Sequence, residues 1–203
     1  MIAYKELTEK QQKRYDRILE MAEELIHEHG FYKLSLTELT EKLRISRSTI
    51  YENFGSKEGI VEKVVESFSK KLDESLAAVI QNEELNTVEK FIAIANTQGQ
   101  MLNGKSDHKM LHDLRIHMPY LFKQFEKGRK QREINGYKVL VDQGIREGLF
   151  DSKLPSDFLL QLYLKMGRLV CDTDLLENTS MSKENAMETI VKIYLNGTKN
   201  LNL

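Results

Sequence analysis

The sequence predicts an all-α protein of about nine helices. Only 2 of its 203 residues are proline and 11 are glycine, so the residues that interrupt helices are scarce. Apolar residues recur at i, i+3, i+4 and i+7 along most of the chain, which is the spacing of amphipathic helices. Because hydrophobic residues make up 40% and charged residues 30% of the chain, a core and a charged surface are both possible. Disorder and an all-β fold are therefore disfavoured.

The first helix is predicted over about residues 8–29. Thr8 and Gln11 have the spacing of a capping box, in which each side chain accepts a hydrogen bond from the other residue's backbone N–H. Gly30 suits the end of this helix, because glycine readily takes a positive φ.

Two short helices are predicted next, over about residues 36–43 and 47–53. Ser35 and Glu38 repeat the capping-box spacing at the start of the first, and Ser46 is the expected N-cap of the second.

Longer helices follow, and this change at Ser56 marks the predicted boundary between a domain of residues 1–56 and a domain of residues 57–203. The first of these predicted helices has roughly twenty residues after Ser56, the second opens at Asn86 and Glu89, and a shorter third is capped by Asp107. A long helix is predicted from Pro119 to Gly148. An apolar helix is predicted from Pro155, and a last helix is capped by Ser182.

Composition also limits the compartment and the partners. No apolar run approaches the ~20 residues that span a bilayer, and the N-terminus lacks a signal-peptide core. We therefore expect a cytoplasmic protein with no membrane partner. The single cysteine, Cys171, cannot form an intramolecular disulfide and is expected to be a buried, inert thiol, with a redox sensor as the alternative. Because the net charge is −1, a nucleic-acid partner must be met by a local basic patch.

Residues 35–57 provide such a patch. A short helix, a turn around Arg44 and Ile45, a second short helix and a break are the pattern of a helix-turn-helix, although a compact three-helix module with a solvated face has the same spacing. From Lys42 to Lys57 the four cations Lys42, Arg44, Arg47 and Lys57 outnumber the one anion, Glu52. The candidate DNA contacts are Ser35, Thr37, Arg44, Ser46, Arg47, Ser48, Thr49, Tyr51, Asn53 and Lys57.

Side-chain chemistry indicates different roles for these candidates. The second helix of such a motif places its N-terminal residues in the major groove. Arg47 can form two hydrogen bonds to guanine, whereas Ser48 and Thr49 can reach base edges or phosphates. Tyr51 and Lys57 suit phosphate oxygens.

At these positions the chain resembles the tetracycline-repressor (TetR) family of bacterial transcription regulators. The resemblance lies in Gly30-Phe31, Leu36 to Leu39, Ile45 to Tyr51, Asn53-Phe54 and Ser56-Lys57-Glu58. It implies that Ser46 caps the recognition helix, that Arg47, Thr49, Tyr51 and Asn53 lie at the DNA, and that Lys57 contacts phosphate at the start of the fourth helix.

Two positions depart from the family pattern. Arg44 stands where the family usually has a turn glycine, and Thr40 stands where it usually has alanine. The arginine could strain the turn or add a phosphate contact, so the tilt of the recognition helix is left open.

The resemblance also implies a homodimer that pairs through its last two helices. Such pairing would explain why the helix from Pro155 is apolar on most of its circumference, which burial within a monomer would also explain. Two recognition helices about 34–36 Å apart would meet successive major grooves of a near-palindromic, double-stranded DNA operator. A small-molecule inducer among the middle helices would tilt the fourth helix and release the DNA.

We therefore expect a ligand-responsive repressor, with residues 1–56 as the helix-turn-helix domain and residues 57–203 as the ligand-binding and dimerisation domain. We expect no catalytic residues and no cofactor. The candidate ligand contacts mix apolar walls with polar anchors, and they are Phe91, Gln98, Met101, His112, Arg115, Phe122, Phe125, Arg129, Tyr163 and Met166.

A metal-binding protein, a structural DNA-binding protein and an enzyme are the alternatives to this expectation. His108 and His112 have a spacing that can hold a metal, but no second cluster supplies the remaining ligands, so no metal is expected. One alternative is a DNA-binding structural protein of the same fold that responds to no inducer. Another is a small helical enzyme using His112, which no nucleophile-base constellation or phosphate-cradling glycine loop supports.

Overall fold

The chain folds as successive helices, and the computed structural model describes residues 8–101, 105–169, 176 and 178–199. The all-α prediction is confirmed for this part of the chain, in which no strand occurs. None of its helices is at once long enough and apolar enough to cross a membrane. The helices are α1 (Glu9–His29), α2 (Leu36–Leu43), α3 (Arg47–Phe54), α4 (Lys57–Gln81), α5 (Thr87–Met101), α6 (Lys105–His117), α7 (Pro119–Arg132), α8 (Lys138–Arg146), α9 (Ser156–Arg168) and α10 (Lys183–Gly197), with a 3₁₀ turn at Phe31–Lys33.

Polar caps fix several helix starts where the sequence predicts them. The capping box of α1 is complete, since the Gln11 N–H donates to Thr8 Oγ1 at 3.4 Å and the Thr8 N–H donates to Gln11 Oε1 at 2.9 Å. At the start of α10 the Asn185 N–H donates to Ser182 Oγ at 3.2 Å. Such bonds define a helix end because they satisfy N–H groups that have no partner within the helix.

Two predicted caps differ from the structure. Helix α6 is described from Lys105, so Asp107 lies within the helix and not at its start. Only half of the capping box at α2 forms: the Glu38 N–H donates to Ser35 Oγ at 3.3 Å, but the Glu38 carboxylate pairs with Lys42 at 3.6 Å. An ion pair between residues four apart on the helix takes the place of the second capping bond.

The predicted continuous helix from Pro119 to Gly148 is wrong in one respect. Helices α7 and α8 are separated by a π-helical segment, Glu133–Tyr137. A Cβ atom added at Gly136 in this segment would lie 2.4 Å from Leu76 Cδ2 of α4, so the α4 side chain packs directly on backbone. Hydrophobic periodicity could not reveal this contact, because it joins residues far apart in the sequence.

The described residues group into two compact units. The first contains those within Met1–Ser69 and Gly104–Phe125, and the second contains those within Lys70–Asn103 and Glu126–Leu203. The division reflects packing and falls inside α4. The boundary predicted at Ser56, where short helices give way to longer ones, stays a prediction.

The first unit has an aliphatic core around α1, α2 and α3. Leu39 of α2, Ile50 of α3 and Ile60 of α4 are completely buried. Tyr15 of α1 stacks on Phe54 at the end of α3, with ring centroids 4.7 Å apart. Helix α3 is therefore held from one side, and its other side is exposed.

The second unit has an aromatic core. The Phe91 ring lies 5.7 Å from Phe150, 5.1 Å from Tyr163 and 5.9 Å from Tyr194, measured between centroids. The Tyr194 hydroxyl donates to the Leu159 carbonyl at 3.1 Å, which satisfies a polar group inside this apolar cluster.

Candidate DNA-binding surface

The turn between α2 and α3 is built on a left-handed residue. Arg44 has φ 54° and ψ 48°, a conformation that glycine adopts freely but that costs another residue about 1–2 kcal/mol. The Ile45 N–H closes the turn by donating to the Thr40 carbonyl at 3.1 Å. The exposed Arg44 side chain thus starts from a strained backbone.

Ser46 fixes the start of α3. Its Oγ accepts from the Thr49 N–H at 3.2 Å and lies 2.6 Å from Ser48 Oγ and 3.0 Å from Thr49 Oγ1. These three hydroxyls surround the N-terminal turn of the helix, where backbone N–H groups and the helix dipole favour an anion. The predicted capping role of Ser46 is confirmed.

Arg47 joins the two helices of the motif. Its Nη2 donates to Thr37 Oγ1 at 2.5 Å, and both side chains are exposed. Because a guanidinium has five N–H groups, this single bond leaves donors for a base or a phosphate. The structure therefore brings two of the predicted contacts into one hydrogen-bonded pair.

Lys57 lies at the first turn of α4 and is bonded to the domain itself. Its Nζ donates to the Tyr32 carbonyl at 2.9 Å, and the Tyr32 ring stacks on His117 of α6 with centroids 4.6 Å apart. Sequence reasoning did not find the roles of Tyr32 and His117, since a carbonyl acceptor and a long-range ring contact leave no local pattern.

Other predicted contacts differ in how far their side chains are engaged. Tyr51 is 49% exposed on α3. Asn53 is half-buried, and its Nδ2 donates to the Thr49 carbonyl at 2.6 Å. The Ser35 hydroxyl is engaged as the cap of α2. Of the two candidates that follow Thr49 on α3, Tyr51 is thus more accessible than Asn53.

A close backbone contact fixes the junction of α3 and α4. A Cβ atom at Gly59 would lie 2.0 Å from the Phe54 carbonyl oxygen, so a larger residue does not fit. The Gly59 N–H donates to Ser56 Oγ at 3.0 Å, which caps α4. Sequence reasoning missed this glycine, because a glycine within a helical pattern gives no sign of what it touches.

The predicted ligand contacts are distributed over both units. His112, Arg115, Phe122 and Phe125 belong to the first unit, whereas Phe91, Arg129, Tyr163 and Met166 belong to the second. Phe91 and Tyr163 are buried and pack on each other, and burial raises the pKa of the Tyr163 hydroxyl well above its usual range. Arg129 pairs with Glu126 at 2.7 Å. The side chains of Gln98 and Met101 lie outside the described residues.

Two histidines of α6, His108 and His112, have a spacing that can hold a metal. The His112 side chain is 64% exposed, and its Nδ1 lies 3.9 Å from Asp113 Oδ1. Among the side chains that the structure describes, no group of three or more possible ligands is arranged to hold a metal. The His108 side chain and Cys171 lie outside them.

The fold and this surface define a class of protein: an all-α protein whose N-terminal part presents a helix-turn-helix with an exposed second helix. Residues 18–64 match the family model described as bacterial regulatory proteins of the tetR family. This part of the chain is therefore similar to the TetR family, as the resemblance in its helix-turn-helix implies.

One relative and two solved structures are similar to this chain. A Bacillus subtilis (strain 168) protein, described as the uncharacterized HTH-type transcriptional regulator YvaF, is 35% identical over 88 residues, which cover 42% of this chain and 46% of the relative. The match thus spans about half of that relative's length. The fatty acid degradation regulator FadR from Bacillus halodurans has a TM-score of 0.69 at 18% identity, covering 94% of this chain and 97% of FadR. A TetR-family regulator from Cytophaga hutchinsonii has a TM-score of 0.72 at 17% identity, covering 98% and 100%. At these identities the two structures show that the fold is shared.

Proposed function

We propose that the chain is a cytoplasmic, DNA-binding transcription regulator that represses from a near-palindromic operator and is released by a small molecule. One observation carries this proposal. Helix α3 is exposed, its N-cap is Ser46, and it presents Arg47, Thr49 and Tyr51 beside the Arg44 turn. An exposed helix of this kind fits the major groove, where a base pair can be identified by its hydrogen-bond pattern.

The proposed contacts divide into base readers and phosphate binders. Arg47 is the proposed base reader, because its guanidinium matches the acceptors of guanine. Arg44 and Lys57 are proposed to bind phosphate on the two sides of α3. The other proposed contacts to phosphates or base edges are Ser35, Thr37, Ser46, Ser48, Thr49, Tyr51 and Asn53.

Two exposed apolar side chains support a dimer through α9 and α10. Phe158 on α9 is 55% exposed and Ile193 on α10 is 57% exposed, and the two helices pack against each other. Large apolar side chains in solvent are typical of protein interfaces. A twofold pair would present one α3 to each of two major grooves, about 34–36 Å apart.

Release by a ligand requires that the ligand bind the two conformations of the protein with different affinity. We propose that the ligand lies in the domain of residues 57–203, against some of the predicted contacts. The described exposed polar candidates are His112 and Arg115, and the described aromatic ones are Phe91, Phe122, Phe125 and Tyr163.

The test is a binding assay on the purified chain. A randomised duplex pool, of about 30 base pairs so that two half-sites one helical turn apart fit, is enriched on the protein. The expected result is a twofold-symmetric footprint with two chains bound to each duplex. If no duplex is enriched over a scrambled one, DNA recognition is contradicted.

A compound library added to the enriched complex then tests the regulation. An inducer should release the DNA at constant salt, and replacement of a true contact such as Arg115 should weaken that release without weakening DNA binding. A DNA-binding structural protein would instead retain its affinity in the presence of every compound.

A further inference from the structure

The charges of α1 are divided between its two halves. The cations Lys10, Lys13, Arg14 and Arg17 lie in the first half, and the carboxylates Glu20, Glu23, Glu24 and Glu28 lie in the second. Two carboxylates of the first half are engaged nearby, Glu9 with Lys13 at 2.6 Å and Asp16 with Gln12 at 2.8 Å. The first half of α1 is therefore a basic surface, although the whole chain has a net charge of −1.

Helix stability does not account for this order of charges. The helix dipole favours carboxylates near the N-terminus and cations near the C-terminus, and an ion pair is better with the carboxylate placed first. Glu9 and Lys13 follow that rule. Lys10, Arg14 and Arg17 precede the acidic half, which is the reverse of the order that the helix dipole favours. The arrangement therefore calls for another explanation.

Three of the cations share one flank of the helix. Lys10, Arg14 and Arg17 are spaced i, i+4 and i+7, which places them in one row. All three are exposed, and none forms an ion pair with another residue of the described ranges. Lys13 lies beside this row, three residues after Lys10 and four before Arg17, but it is paired with Glu9 at 2.6 Å.

The turns of α1 that carry these cations pack against the helix that is proposed to enter the groove. Tyr15, next to Arg14, stacks on Phe54 at the C-terminal end of α3, with ring centroids 4.7 Å apart. The major groove is about 12 Å wide and is bordered by a phosphate backbone on each side. Cations held on α1 next to α3 are therefore suitably placed for one of these backbones.

We propose that Lys10, Arg14 and Arg17 form a second phosphate-binding site, which contacts the DNA backbone beside the groove that α3 enters. The proposal rests on the proposed DNA-binding function. The acidic half of α1 is repelled by DNA, so the division of charge turns the N-terminal half of the helix toward the duplex. The site adds affinity and orientation and leaves sequence preference unchanged.

Salt dependence of binding measures this site directly. Fluorescence anisotropy with the enriched duplex is recorded at increasing NaCl for the wild type, Arg14→Gln, and the triple variant Lys10→Gln/Arg14→Gln/Arg17→Gln. The slope of log affinity against log salt should become shallower by about 0.9 for each phosphate contact that is lost. The affinity ratio between enriched and scrambled duplexes should stay constant.

Two matched variants control for charge and folding. Lys13→Gln removes the same charge from a neighbouring residue whose ammonium is already paired with Glu9, and it should change the slope less than Arg14→Gln does. Arg14→Lys keeps the charge and should keep the slope. Circular dichroism melts show whether each variant is folded, and the exposed positions of all these residues make misfolding of the single variants an unsuitable explanation for a change in slope.

The outcomes separate the inference from the function on which it rests. If the wild type binds but the triple variant has the wild-type slope, the second site is refuted and DNA recognition by α3 stands. If the triple variant loses the preference for the enriched duplex, the row reads bases and the phosphate assignment is wrong. If the wild type binds no duplex, the proposed function fails first.

Discussion

At the scale of single residues, Arg47 and Lys57 are both bonded to their own domain, but they should differ in what they recognise. Arg47→Ala should lower affinity for the enriched duplex by about 1–3 kcal/mol and relax the preference at one base pair, because a base contact is lost. Lys57→Ala should weaken all duplexes alike and make the salt slope shallower by about 1. Competition binding with single-base variants of the duplex measures both effects.

The two variants serve as controls for each other, since each removes one exposed or partly exposed cation from the same motif. An equal loss for Arg47→Ala on enriched and scrambled duplexes would show that Arg47 binds phosphate and reads no base.

Arg44 combines backbone strain with a possible DNA contact, and substitution can separate the two. Arg44→Gly relieves a left-handed conformation that costs about 1–2 kcal/mol, while glycine raises the entropy of the unfolded chain at a cost of about 0.5–1 kcal/mol. The free energy of unfolding should therefore rise by about 0.5–1 kcal/mol. Urea denaturation measures it.

Arg44→Ala is the matched control, because it removes the same charge and keeps the strained backbone. It should show no such gain in stability. If Arg44 binds phosphate, both variants should lose the same amount of DNA affinity. A gain in affinity for Arg44→Gly alone would mean that the strained turn tilts α3 away from its best position.

At the scale of helices, the junction of α3 and α4 depends on one small residue. Gly59→Ala should destabilise the protein by about 1–3 kcal/mol or more, because the new methyl group overlaps the Phe54 carbonyl. The same substitution at Gly167 in α9 meets nothing within 4 Å and should stabilise by up to about 1 kcal/mol through helix propensity. Equal effects of the two substitutions on thermal unfolding would contradict this account of the junction.

Several helix starts followed from the sequence because local chemistry decides them. Each of these caps satisfies backbone N–H groups within three residues, so it can be predicted from a short stretch of sequence. The examples are Thr8 with Gln11, Ser46 and Ser182. The π segment could not be predicted, because Gly136 owes its place to Leu76 of another helix. The same holds within the candidate site, where the motif predicts Arg47 as a DNA contact but nothing local predicts its bond to Thr37.

At the scale of the whole molecule, the proposed dimer depends on the apolar surface of α9 and α10. Phe158→Glu or Ile193→Glu should give a monomer, because a buried, unpaired carboxylate is costly at an interface. Sedimentation equilibrium measures the mass, and operator affinity should fall together with it. Ile134→Glu alters an equally exposed apolar residue of α7–α8 and should leave the dimer intact; dissociation by this control alone would place the interface elsewhere.

Two cations of the helix-turn-helix are already hydrogen-bonded within the protein before DNA binds. Lys57 donates to the Tyr32 carbonyl, and Arg47 donates to Thr37. Where DNA takes one of these bonded donors, binding is an exchange of partners, which releases less free energy than binding by a group with no partner. The bound lifetime on random genomic sequence, where only phosphate contacts form, should therefore be short. It should be longer on the operator, where Arg47 also contacts guanine.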